Sequence, residues 1–167
     1  MRLFSELKSL LVGLWLGSAI FFIGVAQSAF AVIPARETAG EFVSHTLSIV
    51  NVSGLSIGLI LLGLSVLNRR ASSRRKIWLE RVLASVLTLS CTIGQFVIAL
   101  WMSYLKTLMG RPIDEVPISD PLRVQFDSLH QYSVWILTAG MLAAVILFFV
   151  TARSGIAPSD KAFPGTM

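Results

Sequence analysis

Long uncharged stretches, separated by short charged ones, set the pattern of this chain. The uncharged windows are residues 9–35, 42–68, 82–105 and 128–152. Each window is longer than the roughly 20 residues that cross the ~30 Å hydrocarbon layer of a bilayer as a helix. Because lipid offers the backbone no hydrogen-bond partners, these windows predict helices rather than open strands. The pattern therefore predicts an all-α integral membrane protein, a four-transmembrane-helix antiparallel bundle with spans at about 9–33, 45–67, 78–104 and 129–151.

The composition agrees with a membrane protein and excludes an ordinary soluble domain. Of the 167 residues, 54% are hydrophobic and 14% are charged, and the mean hydropathy is +0.76. Soluble domains are far more polar than this. The length suits one transmembrane domain at 1–152, followed by a short cytoplasmic tail at 153–167.

The net charge of +5 comes mainly from one cluster of basic residues between the second and third windows. Its members are Arg69, Arg70, Arg74, Arg75 and Lys76. Beside two spans, such a cluster indicates membrane topology and contact with anionic lipids, and no binding of nucleic acid is expected. Cytoplasmic loops collect Lys and Arg, whereas the first and third loops here hold more acidic than basic residues. We therefore expect both termini on the inside (N-in/C-in), in a bacterial inner (cytoplasmic) membrane.

Two further features of the windows bear on how the chain sits and packs in the membrane. The first window ends in a small-x-small triplet at 29–31, as a secretory signal would, but its apolar core is too long for one and predicts an uncleaved span. Small residues four positions apart, which let helix backbones approach closely in lipid, occur in every window: Gly13 and Gly17, Gly54 and Gly58, Ser90 and Gly94, Gly140 and Ala144. Aromatic residues near the window ends, Trp15 and Trp78 on one side and Trp101 and Tyr104 on the other, predict interfacial belts.

Polar side chains inside a membrane are costly and are the natural candidates for function. They are Gln27, His45, Asn51, Gln95, Asp127 and His130. In the expected topology all of them lie toward the outside, and the inner half of the windows holds only Ser and Thr. This distribution predicts a polar pocket open to the outside above a dry inner half.

Asp127 and His130 are three residues apart, so they share a helix face and can hydrogen-bond. One hypothesis is a divalent metal site made by His130, Asp127 and His45. Another is a haem held by the two imidazoles. The alternative is structural: Asp127 caps the start of the fourth helix and His130 donates to a loop carbonyl. The sequence itself requires no cofactor.

The three amides allow two interpretations as well. Gln27, Asn51 and Gln95 line a path for a solute, or they bond across helices and hold the bundle together. The sequence contains no HExxH, GxSxG, Walker A or CxxC motif. We therefore expect no enzymatic activity.

Short motifs at two turns give the chain a family resemblance. They are Gln-Ser-Ala-Phe at 27–30, Ile-Pro-Ala-Arg-Glu-Thr-Ala-Gly at 33–40, and Pro-Leu-Arg at 121–123 followed by Phe126, Leu129, His130 and Ser133. On these residues the chain resembles the family named after transmembrane protein 205, which bacteria carry as a domain of unknown function. The resemblance implies four spans, a first turn marked by Arg36 and Gly40, and a signature at Phe126, Leu129, His130 and Ser133. An Asn commonly follows that signature, and Trp135 and Ile136 stand there instead.

The resemblance implies no established reaction. Eukaryotic relatives are linked to tolerance of platinum compounds, which implies handling of metals or cationic solutes. The prediction is a non-enzymatic multi-pass membrane protein, acting as a packing or accessory component of the membrane or of a membrane complex. The alternative is metal-ion or cationic-solute handling through the outward pocket. Its expected partners are the lipid bilayer, anionic lipids at the basic loop and other membrane subunits.

Overall fold

Five α-helices account for most of the described chain. The computed structural model describes residues 2–67 and 74–152. The helices are α1 (Arg2–Val32), α2 (Arg36–Leu67), α3 (Arg74–Ile93), α4 (Ala99–Met109) and α5 (Pro121–Ala152). A π-helical turn, Gly94–Ile98, joins α3 to α4, and a 3-10 turn, Ile113–Glu115, lies between α4 and α5. The segment Arg74–Met109 is therefore one continuous helical rod, the third span.

Four rods are long and apolar enough to cross a membrane: α1, α2, the third span and α5. The predicted all-α, four-span fold class is confirmed. The helices continue beyond the uncharged windows, since α2 begins at Arg36 and α5 at Pro121. A charged residue ends an uncharged window, but it does not end the helix, because the backbone hydrogen bonds of a helix do not depend on side-chain charge. Arg69, Arg70 and the tail at 153–167 lie outside the described residues.

The four rods form a closed ring in which each packs mainly against two neighbours. α1 packs on α2 and α5, and α3 packs on the same two helices from the other side. The main apolar core lies between them, with Val12, Trp15, Leu87, Ala144 and Leu147 almost fully buried. A smaller cluster of Ile98, Leu105 and Leu129 joins α4 to the first half of α5.

Close packing at small residues is confirmed in α2, the third span and α5. A Cβ on Gly54 would collide with Trp15 Nε1 and lie 2.5 Å from Cys91 Sγ, and one on Gly58 would collide with Thr88. A Cβ on Gly140 would lie 3.2 Å from Ser90 Cβ. In α1 the prediction holds for one member of the pair only, because Gly13 lies against Phe148 whereas Gly17 has nothing within 4 Å of its Cβ position.

Trp15 is not an interfacial residue, and the prediction that placed it in an aromatic belt is wrong. It is 1% exposed, and its indole N–H donates to the Val50 carbonyl oxygen at 3.0 Å. The absence of a side chain at Gly54 gives the ring its space. A buried indole needs one acceptor for its N–H, and this carbonyl on α2 supplies it. Trp78, Trp101 and Tyr104 are exposed.

Candidate functional site at the π-helical turn

The structure divides the predicted pocket residues into an exposed and a buried group. Gln27, His45, Asp127 and His130 are exposed on the outside of the bundle. Asn51 is 5% exposed, and Gln95 is partly buried. Only these last two amides point into the protein, and they come from neighbouring rods. We therefore take the region around Asn51 and Gln95 as the candidate site.

Asn51 lies against the start of the π-helical turn. Its amide nitrogen Nδ2 is 3.1 Å from the position that a Cβ on Gly94 would take. A side chain at this position would push the amide away, so the glycine lets α2 approach the turn closely. The turn itself carries the backbone hydrogen bond from the Ala99 N–H to the Gly94 carbonyl, five residues apart. Such turns are rare and occur often at functional sites.

Gln95 occupies the second position of the same turn. Its carbonyl oxygen Oε1 is buried and accepts no hydrogen bond from the residues that the structure describes. Along the third span it lies about 14 residues from Arg81 and about 11 from Lys106, which is roughly 21 Å and 16 Å at 1.5 Å per residue. The turn is therefore far from the charged groups at both ends of the bundle. Asn51 is also close to the midpoint of α2.

The start of α5 differs from the prediction. Asp120 caps this helix by accepting the Leu122 backbone N–H at 2.9 Å, and Pro121 takes the first helical position. The alternative in which Asp127 is the N-cap is therefore wrong, because Asp127 lies in the second turn of the helix. Its carboxylate oxygen Oδ2 is 3.5 Å from Arg123 Nε, one turn earlier.

Arg123 fastens the segment between α4 and α5 to the bundle. Its guanidinium donates to the carbonyl oxygens of Ile113 and Val116, the second at 3.3 Å. Its side chain is 17% exposed, and Val116 is 3% exposed. The segment also begins tightly, because Gly110 ends α4 with a φ of +62°. The third loop is thus held to the bundle by Arg123, a residue that the sequence marks only as part of a motif.

Replacing Arg123 with leucine is expected to release this segment. The two loop carbonyls then lose the guanidinium donor, so the backbone at 110–120 opens more often. Limited proteolysis in detergent, read by mass spectrometry, should show cleavage there at least several-fold faster than in the wild type. Arg111→Leu, at an exposed position of the same segment, is the matched control and should leave the rate unchanged. Equal rates for the two variants would contradict the assigned role of Arg123.

Most of the residues marked by the family resemblance make contacts within the protein. Leu129 belongs to the smaller core cluster and Phe126 packs against it, with Lys106 Nζ 5.9 Å from the Phe126 ring centre. Ser133 donates to the His130 carbonyl at 2.7 Å. In the first turn, Arg36 is 3.6 Å from Asp114 of the third loop, and Gly40 has open space at its Cβ position.

The predicted metal ligands do not come together as one group. Within residues 4–67 and 74–152, no three His, Cys, Asp or Glu side chains are grouped so that they could hold a metal ion. His45, Asp127 and His130 are all exposed. Metal or haem binding by these side chains stays a prediction.

The opposite end of the bundle holds a buried polar cluster that sequence reasoning missed. Lys8 Nζ is 2.8 Å from Glu80 Oε2, and the two side chains are only 9% and 11% exposed. Arg81 donates to the side chain and the carbonyl of Ser65, both at 3.0 Å. Ser5 and Ser9 donate to Thr151. All four rods contribute to this cluster, and its charged members Lys8, Glu80 and Arg81 lie outside the uncharged windows.

Of the basic cluster, Arg74, Arg75 and Lys76 lie in the first turn of α3 rather than in a loop, and the two arginines are exposed. Positive charge at a helix start is unfavourable for the helix dipole. Contact with anions from the surroundings would offset that repulsion.

Comparison with known proteins gives one result. A family model described as "Domain of unknown function (DUF4149)" matches residues 10–111, more than half of the chain. The match includes Asn51, the π-helical turn and the first turn with Arg36 and Gly40, and it ends before the Phe126–Ser133 motif. Neither the curated proteins nor the solved structures gave a match. The finer resemblance to the family of transmembrane protein 205 stays a prediction. This chain belongs to the family described as Domain of unknown function (DUF4149), and it is a multi-pass membrane protein.

Proposed function

We propose that the protein is a non-enzymatic accessory component of a membrane complex. One observation carries this proposal: the space between the four rods is filled by a continuous apolar core. Val12, Trp15, Leu87 and Leu147, from three of the rods, are between 0% and 2% exposed. Because helices in lipid associate through such packing, the interior is used for holding the bundle together. The surface is then what remains for interaction with other molecules.

The ends of the bundle support the same reading. The Lys8–Glu80 ion pair and the Arg81–Ser65 hydrogen bonds tie the rods at one end, and the Arg123 contacts fasten a segment at the other. A bundle with polar contacts at both ends and an apolar core between them suits a rigid structural role better than the passage of a solute. Rigid small bundles serve complexes by supporting other membrane helices.

The accessory role predicts a stoichiometric partner. After mild solubilisation, native mass spectrometry should show the protein in a complex of fixed composition. Gly24→Trp on α1 and Gly63→Trp on α2 change two exposed positions with open space at the Cβ, so we expect neither to disturb the packing between the rods. A partner that docks on α1 should be lost in Gly24→Trp and kept in Gly63→Trp, and a partner that docks on α2 should give the reverse result. A monomer without partners in the wild type, under conditions that keep other complexes intact, would contradict the role.

We further propose that both termini lie on the cytoplasmic side of a bacterial inner membrane, with the basic start of α3 facing anionic lipids. The native Cys91 is buried, so single introduced cysteines can be labelled selectively. A membrane-impermeant maleimide should label Ser119→Cys in intact cells, and Arg74→Cys only after permeabilisation. The reverse order would overturn the orientation. Vesicles with anionic lipid should stabilise the wild type more than Arg74→Gln/Arg75→Gln, whereas neutral vesicles should not.

A further inference from the structure

We propose that one half of the bundle is a fork of two arms, which open and close about the π-helical turn and are latched at their tips by Arg36 and Asp114. One arm is α1 with α2, each in the half near the turn that joins them. The other arm is α4 with the first half of α5. The rest of the bundle, from the Lys8–Glu80 ion pair to the π-helical turn, is the base from which both arms extend.

The packing of the helices divides at the π-helical turn. α2 packs on α3 and on the turn, whereas α4 packs on the turn and on α5, and the described residues of α2 and α4 have little contact with each other. The apolar clusters divide in the same way. Phe22, Val43 and Leu47 extend the main core along α1 and α2, whereas Leu105 and Leu129 belong to the separate cluster of α4 and α5. The third span therefore leaves α2 at a π-helical turn, which is one of the few backbone features that redirect a helix.

The side of α1 that faces α5 shows where the contact between these two rods ends. In the base, Ser9 donates to a side chain of α5 and Gly13 lies against another. Residues three or four positions apart lie on the same side of a helix. Two and three turns beyond Gly13, the same side of α1 carries Ile20 and Ile23, which are 56% and 41% exposed.

The matching side of α5 changes from buried to exposed in the same direction. Thr151 is buried in the base, and Phe148 and Leu137 are partly buried. Further toward the start of α5, the same side carries Val134 and His130, and both are exposed. The two facing sides are thus covered in the base and uncovered in the arms, which indicates that α1 and α5 separate there.

The polar contacts between rods are unevenly distributed. In the base, the ion pair and the hydrogen bonds of the buried polar cluster join all four rods. Between the arms, the described residues have one ion pair or hydrogen bond, Arg36 Nη1 to Asp114 Oδ1 at 3.6 Å, and these side chains are 70% and 44% exposed. The hydrogen bonds of Arg123 lie within one arm. An exposed ion pair contributes little to stability and is screened by salt, so the tips are held by a contact that is weak enough to open.

The fork goes beyond the accessory role and does not depend on it. The accessory role rests on the filled main core and requires a partner, whereas the fork concerns the arms and requires none. Opening of the arms uncovers the place where they branch, at which Asn51 lies against Gly94.

The test is a pair of distance measurements by double electron–electron resonance on the full-length protein in lipid nanodiscs. Spin labels at Ser28→Cys and Gln131→Cys report on the arms of α1 and α5, and labels at Leu10→Cys and Ile146→Cys report on the base of the same two helices. All four positions are exposed, whereas the native Cys91 is buried. We expect the distance distribution between the arms to be at least twice as wide as that in the base. A rise in salt should shift only the distribution between the arms, toward longer distances.

The latch is tested by exchanging its charges. Arg36→Asp should raise the long-distance fraction between the arms at least twofold, and Arg36→Asp/Asp114→Arg, which remakes the pair in reverse, should restore the wild-type distribution. Arg111→Asp makes the same charge change at an exposed position and should leave the distribution unchanged. Equal widths for the two label pairs would refute the fork. No effect of Arg36→Asp, or no recovery in the exchanged pair, would refute the latch.

Discussion

Lys8→Met is expected to lower the free energy of unfolding by about 3 kcal/mol, the lower part of the range for losing one partner of a buried ion pair. The Glu80 carboxylate would lose its cation, 2.8 Å away, while remaining largely shielded from water. The side chains come from α1 and α3, which are on opposite sides of the ring, so the change should loosen the whole end of the bundle. Reversible unfolding in mixed micelles, followed by circular dichroism, measures the difference.

The matched control and the double variant make this prediction specific. Arg74→Met removes an exposed positive charge a few residues from Glu80 and should change stability by less than about 0.5 kcal/mol. Lys8→Met/Glu80→Leu removes both charges and should recover most of the loss, because an apolar pair of similar volume is often as stable as a buried ion pair. A single variant as stable as the control would show that water screens the pair.

The hydrophobic pattern predicted the four rods, because an uncharged window of this length can satisfy its backbone hydrogen bonds in lipid as a helix and not as an open strand. It could not predict the ion pair between Lys8 and Glu80, because a charged residue beside a window looks the same in the sequence whether it is solvated or paired. Pairing depends on how the helices are arranged in the bundle, and the periodicity of the sequence does not determine that arrangement. The start of α5 was, by contrast, readable: Asp120 followed by Pro121 is a helix N-cap followed by the residue favoured at the first position.

The candidate site was predictable in part. Asn51 and Gln95 stood out as amides in apolar windows, and both are directed into the bundle. The π-helical turn has no simple sequence signature. Gln27, His45 and His130 were equally conspicuous in the sequence, and their exposure follows from helix rotation, which a uniformly apolar span does not fix.

Gly54 is a position where the fold leaves no room for a methyl group. Three rods meet there, because Trp15 of α1 and Cys91 of α3 both occupy the space that a Cβ on this α2 residue would need. The same tryptophan ring also donates to Val50, so it cannot withdraw without losing that hydrogen bond. The neighbouring Gly58 repeats the arrangement against Thr88, whose Cα would lie 3.4 Å from a Cβ there.

Gly54→Ala is therefore expected to lower the free energy of unfolding by about 2 kcal/mol, as overpacking of a filled core does. The sign is opposite to that of helix propensity, which by itself favours Ala over Gly. Unfolding in mixed micelles should show the loss, and deuterium exchange should be faster at the backbone amides of α2 around Gly54. Gly17→Ala and Gly63→Ala, at positions with nothing within 4 Å of the Cβ, are the matched controls and should be neutral or slightly stabilising. If Gly54→Ala behaved like these two, α1 and α3 would have to lie further from α2 than the ring of four rods places them.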